Sequence, residues 1–182
     1  MSQAYWLTIC ALMIPGILYA SWIDYKERRV PNWLNAAIAA SGFMAQGYFH
    51  GLDGLAAGFL GLLVGFATLI VPWLMHGMGA GDVKLMMAIG VWLGPWLTFV
   101  SFCVGAVVGG VIAVAMILGT GRLWHAWANL ATIAEKVSHR STIFSEFGSA
   151  RSFGNTSQLL PYGVPLTIGT LMVFFGQPLL GG

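Results

Sequence analysis

Asp24 follows an uncharged apolar run that begins at the first residue, and Asp82 ends the glycine-spaced string Gly79-Ala80-Gly81-Asp82 just before a second apolar run. Two carboxyl groups brought together can divide the work of splitting an amide. A carboxylate activates water, while a carboxylic acid polarises the carbonyl and protonates the departing amine. Held within about 3 to 4 Å they cannot both ionise cheaply, so such a pair carries a single proton. Each residue also has an ordinary explanation. Asp is a favoured helix N-cap, which accounts for Asp82 equally well. Asp24 opens the stretch Asp24-Tyr25-Lys26-Glu27-Arg28-Arg29-Val30-Pro31-Asn32, whose charges suit a loop that orients a membrane protein.

The elements that must position these residues follow from composition. At 58% hydrophobic and 8% charged, the 182 residues are far more apolar than a soluble domain, where about a quarter are charged. The chain belongs in a bilayer, where a carboxylate at a helix centre costs about 2.5 to 3.5 kcal/mol and is kept for a purpose. No linker or low-complexity tract divides it, so residues 1–182 read as one membrane-embedded domain. The net charge of +2 is too small and too dispersed for a nucleic-acid partner. Cys10 and Cys103 lie far apart in apolar segments without a CxxC partner and read as small core residues.

We predict an all-α polytopic protein with six transmembrane helices, over about residues 4–23, 33–48, 54–75, 83–98, 99–118 and 159–179. The uncharged stretch 85–121 is too long for one crossing and is interrupted at Gly94-Pro95, where a tight turn is expected. The charges test the count: with six spans every one of the 8 Lys and Arg residues falls in or beside loops on a single face, which is therefore cytoplasmic, and the N-terminus lies outside. Asp24 and Asp82 then share the cytoplasmic face and Asp53 lies opposite. Trp6, Trp22, Trp33, Trp73, Trp92 and Trp96 fall near span ends, as an aromatic belt requires. Within 121–157, Leu123, Trp127, Leu130, Ala134 and Val137 recur at helical spacing, which predicts an interfacial amphipathic helix on the cytoplasmic surface followed by a Ser/Gly-rich loop.

The alternating glycines before Asp82 allow a close backbone approach or positive φ. They are not a phosphate loop, since no strand precedes them and no Lys-Ser/Thr follows. His50, His76, His125 and His139 lack paired-ligand spacing, so no metal or other cofactor is expected. Ser21 and Ser101 have no histidine at a suggestive separation, which argues against serine-protease chemistry. From the residues alone, a small transporter or channel using the two acids for cations or protons remains the competing reading.

Taken together, Asp24 with Arg29-Val30-Pro31-Asn32 and then Gly79-Ala80-Gly81-Asp82-Val83-Lys84 resembles the prepilin peptidases, membrane aspartyl proteases marked by an Asp-to-Ile-Pro-Asn stretch and a Gly-x-Gly-Asp-x-Lys motif. Pro161-Tyr162-Gly163 is similar to the family's Pro-Tyr/Phe-Gly signature, with Pro165 where a small residue is commoner. The resemblance implies Asp24 and Asp82 as the catalytic pair. It implies Gly79, Gly81, Lys84, Pro31, Asn32, Pro161, Tyr162 and Gly163 as the motif around them. Gly79 and Gly81 are expected to admit an extended substrate backbone, and Lys84 to reach toward lipid headgroups rather than take part in catalysis. The implied substrate is a prepilin with a basic cytoplasmic leader, cut at the bacterial inner membrane in concert with other pilus-assembly components. Longer relatives carry an insert with two CxxC pairs and methylate the new pilin N-terminus. This chain has neither that insert nor spare cysteines, which implies peptidase activity without methyltransferase activity, most like the short branch that serves Flp-type pili.

Overall fold

In the computed structural model, residues 2–27, 29–74, 78–120 and 162–180 are described, and every regular element among them is helical. Helix α1 (Gln3–Thr8) starts under the Ser2 hydroxyl, which accepts from the Tyr5 amide. A π-helical turn, Ile9–Met13, joins it to α2 (Ile14–Glu27). The wider turn precedes Pro15, which has no N–H to give to Ala11 and whose ring crowds that carbonyl. Then come α3 (Asn32–Leu74), α4 (Ala80–Thr120) and α5 (Gly163–Leu180). Three stretches, Gln3–Glu27, Asn32–Leu74 and Ala80–Ala115, are long and apolar enough to cross a membrane, and Gly163–Gln177 is a shorter apolar helix.

The chain divides into two compact units, Met1–Gly109 with Pro161–Gly182, and Gly110–Leu160. Of the second, the described residues are the last turns of α4; the amphipathic helix expected over 121–157 lies outside them. The description that follows concerns the first unit.

A straight α3 of 43 residues would measure about 65 Å, twice the hydrocarbon thickness. It does not run straight. Gly51, at φ 62° and ψ −141°, breaks it, and Gly94, at φ 74° and ψ 177°, breaks α4. A side chain at either position would collide with its own backbone, so glycine permits both breaks. The expected turn at Gly94-Pro95 is therefore present, although it falls before the division at 98/99 drawn from hydropathy.

A break inside an apolar bundle strands carbonyl groups that lipid cannot satisfy. Pro95 has no N–H to offer Val91, and the Gly94 kink releases Trp92. Buried Gln46 donates to both carbonyls at 3.2 Å, and the buried Tyr5 hydroxyl donates to the Trp92 carbonyl at 2.6 Å. This corrects one expectation: Trp92 is 1% exposed and its indole N–H donates to the Ile38 carbonyl at 2.9 Å, so it belongs to the core and not to the interfacial belt. Trp22, Trp33 and Trp96 do face outward. Cys103 is likewise exposed on α4 rather than packed in the core, and Cys10 is partly exposed.

Small residues set how closely the segments pack. Gly54, Gly58, Gly61 and Gly65 form a buried stripe on α3. At the centre of that stripe Gly61 and Gly90 of α4 meet backbone to backbone, each occupying the space a Cβ on the other would need. Gly169 of α5 makes a second close approach, where a Cβ would meet the backbone of Gly105 in α4. Lipid tails are as apolar as the side chains, so tight van der Waals contact replaces the hydrophobic effect as the force between helices.

A methyl group at Gly61 meets a carbonyl with no freedom to move, so Gly61→Ala should cost about 1 to 3 kcal/mol as overpacking. Gly176→Ala meets nothing within 4 Å and should be neutral. Thermal unfolding of the two variants in detergent checks the contrast; equal melting temperatures would refute it.

Candidate active site

Asp24 lies in the last turn of α2 and is 4% exposed. The Gly163 amide donates to its Oδ2 at 3.0 Å. Gly163 is the first residue of α5, where amides have no partner within their own helix, so Asp24 caps a helix that follows it by 139 positions. The positive end of that helix's dipole therefore faces the carboxylate. A Cβ on Gly163 would stand 2.8 Å from Oδ2 and 3.2 Å from Cγ, so the carboxyl can approach the amide only because no side chain is there. Pro165 sits in the same first turn, where its missing N–H loses nothing. The first bond of α5 runs from the Leu166 amide to the carbonyl of half-buried Tyr162. Pro161 lies outside the described residues.

Asp82 is 6% exposed and occupies the first turn of α4. It stands inside the helix, not at the N-cap: its amide donates to the Gly79 carbonyl at 3.2 Å, and the Gly79 amide lies within reach of its carboxylate. Oδ1 of Asp82 is buried and has no hydrogen-bond partner among the described residues. Asp24 lies within Coulombic reach of it. The two acids, 58 positions apart in the sequence, are thus near enough for the charge of one to act on the other. Asp53 is exposed in α3, two residues past the Gly51 break.

The alternating glycines have separate uses. Neither Gly79 nor Gly81 has positive φ, since the positive-φ glycines of the described chain are Gly51 and Gly94. Gly81 packs on Val30, whose amide, Cβ and carbonyl oxygen lie 3.1 to 3.3 Å from where its Cβ would be. Gly79 is exposed, and a Cβ there would touch little besides Asp82 Oδ2 at 3.4 Å. The open face beside the carboxylate is therefore at Gly79, while Gly81 is spent on packing against the Arg29-Val30-Pro31-Asn32 stretch.

That stretch is tied to α4 twice more. The Lys84 ammonium donates to Asn32 Oδ1 at 2.8 Å, and the Asn35 amide donates to the Gly81 carbonyl at 3.2 Å. Lys84, expected to reach for headgroups, instead bridges to the first residue of α3. Half-buried Pro31 precedes it and accepts the Asn35 backbone amide at 3.3 Å.

Two residues of the site, Asn35 and Thr167, escaped the sequence reading, and Ser21 was weighed there only as a nucleophile; all three are buried. Their spacing was the available signal. Asn35 is three positions beyond Asn32, Ser21 three before Asp24, and Thr167 four beyond Gly163, each therefore on the same helix face as a motif residue. Among the described residues no three His, Cys, Asp or Glu side chains come together as a metal site.

Residues 11–114 match the model of the Type IV leader peptidase family, a stretch that holds both aspartates but not Tyr162 or Gly163. The chain is 31% identical over 129 residues to a prepilin leader peptidase/N-methyltransferase of Neisseria gonorrhoeae, covering 60% of this chain and 42% of that protein. It is 29% identical over 119 residues to the protein of that name from Aeromonas hydrophila, covering 57% and 40%. A third such protein, from Aeromonas salmonicida strain A449, is 28% identical over 124 residues, covering 62% and 41%. The matches thus span about two fifths of the length of these relatives. No solved structure gives a significant match. With the family model covering more than half of the sequence and running from the π-helical turn before α2 into the last third of α4, the chain belongs to the type IV leader peptidase family.

Proposed function

We propose that this protein is a membrane aspartyl endopeptidase that removes the basic cytoplasmic leader from type IV prepilins, using Asp24 and Asp82. The observation that carries the reading is two buried carboxyls from different helices within electrostatic reach, one of them held by a helix N-terminus. The names of the relatives, prepilin leader peptidases, support the substrate class.

In the reaction the pair holds one proton. The ionised carboxyl takes a proton from water as its oxygen bonds to the scissile carbonyl carbon, and the protonated carboxyl gives its proton to the carbonyl oxygen. The resulting gem-diol collapses: the C–N bond breaks, the leaving nitrogen takes up the proton removed from water, and one gem-diol hydroxyl returns its proton to the other carboxylate, which restores the singly protonated pair. No metal or cofactor enters these steps. The exposed Gly79 edge gives an extended substrate backbone access to Asp82, because a helical scissile bond would hide its carbonyl in internal hydrogen bonding.

The finer reading has six spans in the inner membrane, with the N-terminus outside and the pair at the cytoplasmic boundary. The breaks at Gly51 and Gly94 support that count: the first divides α3 into two parts each long enough for one crossing, and the second interrupts α4, which is too long for one. The position of the acids, in the last turn of α2 and the first turn of α4, suits the junction between a cytoplasmic leader and a bilayer-embedded pilin segment. It does not suit a transport path, which wants carboxylates in mid-membrane. We assign the protein to the Flp-type branch, without N-methyltransferase activity, because its two cysteines form no CxxC pair.

Incubation of the detergent-solubilised protein with a prepilin precursor tests the reading. Asp24→Asn and Asp82→Asn should each reduce cleavage by at least a thousandfold while the protein stays folded, and Asp53→Asn should leave it intact. Cleavage retained in either of the first two removes that residue from the mechanism, and loss in the third overturns the topology. Gly163→Ala should also lose cleavage by a hundredfold or more, since the new methyl would stand 2.8 Å from Asp24 Oδ2 and push the carboxyl away, and a displacement of about 1 Å costs about that much in rate. Wild-type turnover in Gly163→Ala would show that the amide contact is dispensable.

A further inference from the structure

We propose that Ser21 and Thr167 are positioning residues for Asp24, joined in a second hydrogen-bonded rung between α2 and α5. The inference rests on the reading of Asp24 as half of the peptidase pair. The first rung is the bond from the Gly163 amide to Asp24 Oδ2. One turn earlier on α2, the Ser21 hydroxyl donates to the Gly163 carbonyl at 3.0 Å. Ser21 also bonds to the Thr167 hydroxyl, one turn later on α5. All three polar side chains are buried, with Thr167 3% exposed and Ser21 8% exposed.

The proton count orders the chain of bonds. A hydroxyl has one proton. That of Ser21 is committed to the Gly163 carbonyl, so Thr167 donates to Ser21 Oγ, and the 3.5 Å contact from Thr167 to the Ile17 carbonyl is at most marginal. Gly163 is thereby held at both its N–H and its C=O, by two side chains of one helix.

Two rungs do what one cannot. A single bond to Asp24 would let α5 pivot about the Gly163 amide, and with no Cβ on Gly163 to resist, the carboxyl could slide along the helix end. The second rung fixes the rotation and the axial register of α5 against α2. The Asp24 oxygens then stay where Asp82 can share their proton. Neither hydroxyl touches the reacting atoms, so both act through Asp24.

The test is steady-state cleavage of a purified prepilin precursor by the solubilised full chain, with rates normalised to folded, monodisperse protein. Ser21→Ala and Thr167→Val should each lower kcat about tenfold, well short of the loss from a 1 Å displacement, and leave KM unchanged. Thr167→Ser, which keeps the hydroxyl, should restore kcat. The Ser21→Ala/Thr167→Val double variant should be no slower than the slower single variant, because both remove the same rung. Undiminished kcat in Thr167→Val, failure of Thr167→Ser to recover, or an effect confined to KM overturns the positioning role. A wild-type protein that leaves the precursor uncut, or an active Asp24→Asn variant, overturns the peptidase reading and this role with it. An active wild type with inactive Asp24→Asn and undiminished Thr167→Val overturns the positioning role alone.

Discussion

A carboxyl group in an apolar bundle has to be met by a donor, and the donor for Asp24 is the first free amide of α5. That single bond constrains three separate parts of the molecule. Position 163 must lack a side chain, or the carboxyl cannot approach. Helix α5 must begin at that residue, because one turn later its amides are occupied by its own carbonyls. And α5 must pack against α2 at close range, as it does. The pairing of a buried acid with a helix N-terminus is inexpensive in sequence, needing one glycine, and demanding in architecture.

The second acid is placed by a different device. Asp82 is part of the helix it starts, and its position is governed by how α4 packs on α3. The Gly61–Gly90 contact sets their separation, while Lys84 to Asn32 and Asn35 to the Gly81 carbonyl join the start of α3 to the start of α4. Motif residues beside the acid are thus partly structural: Lys84 and Gly81 hold the Val30-Pro31-Asn32 stretch against the start of α4, and Gly79 is left open beside the carboxylate.

Much of this was legible beforehand because a bilayer penalises charge so heavily that two acids at the edges of apolar runs stand out. The break at Gly94-Pro95 was legible for a similar reason, since no single helix can absorb so long an uncharged stretch. The buried face of Trp92 was not. Tryptophan near a span end reads equally as a belt residue or as core, and only the carbonyls released by the break, with Gln46 and Tyr5 recruited to them, decide for the core. The glycine stripe on α3 was missed because a small residue reveals closeness but not its partner. Thr167 and the link from Ser21 to α5 were missed because a hydroxyl on an apolar helix can satisfy itself on its own backbone, as Thr170 and Thr98 do here.

The bond between Asp24 and Gly163 joins the second helix made to the last one described. A nascent chain emerges from the ribosome in order, so for most of its synthesis Asp24 is already in the membrane without the amide that holds it. Wide separation of the two partners along the chain therefore leaves the Asp24 carboxyl without this donor until the last described helix has been made and has docked on α2.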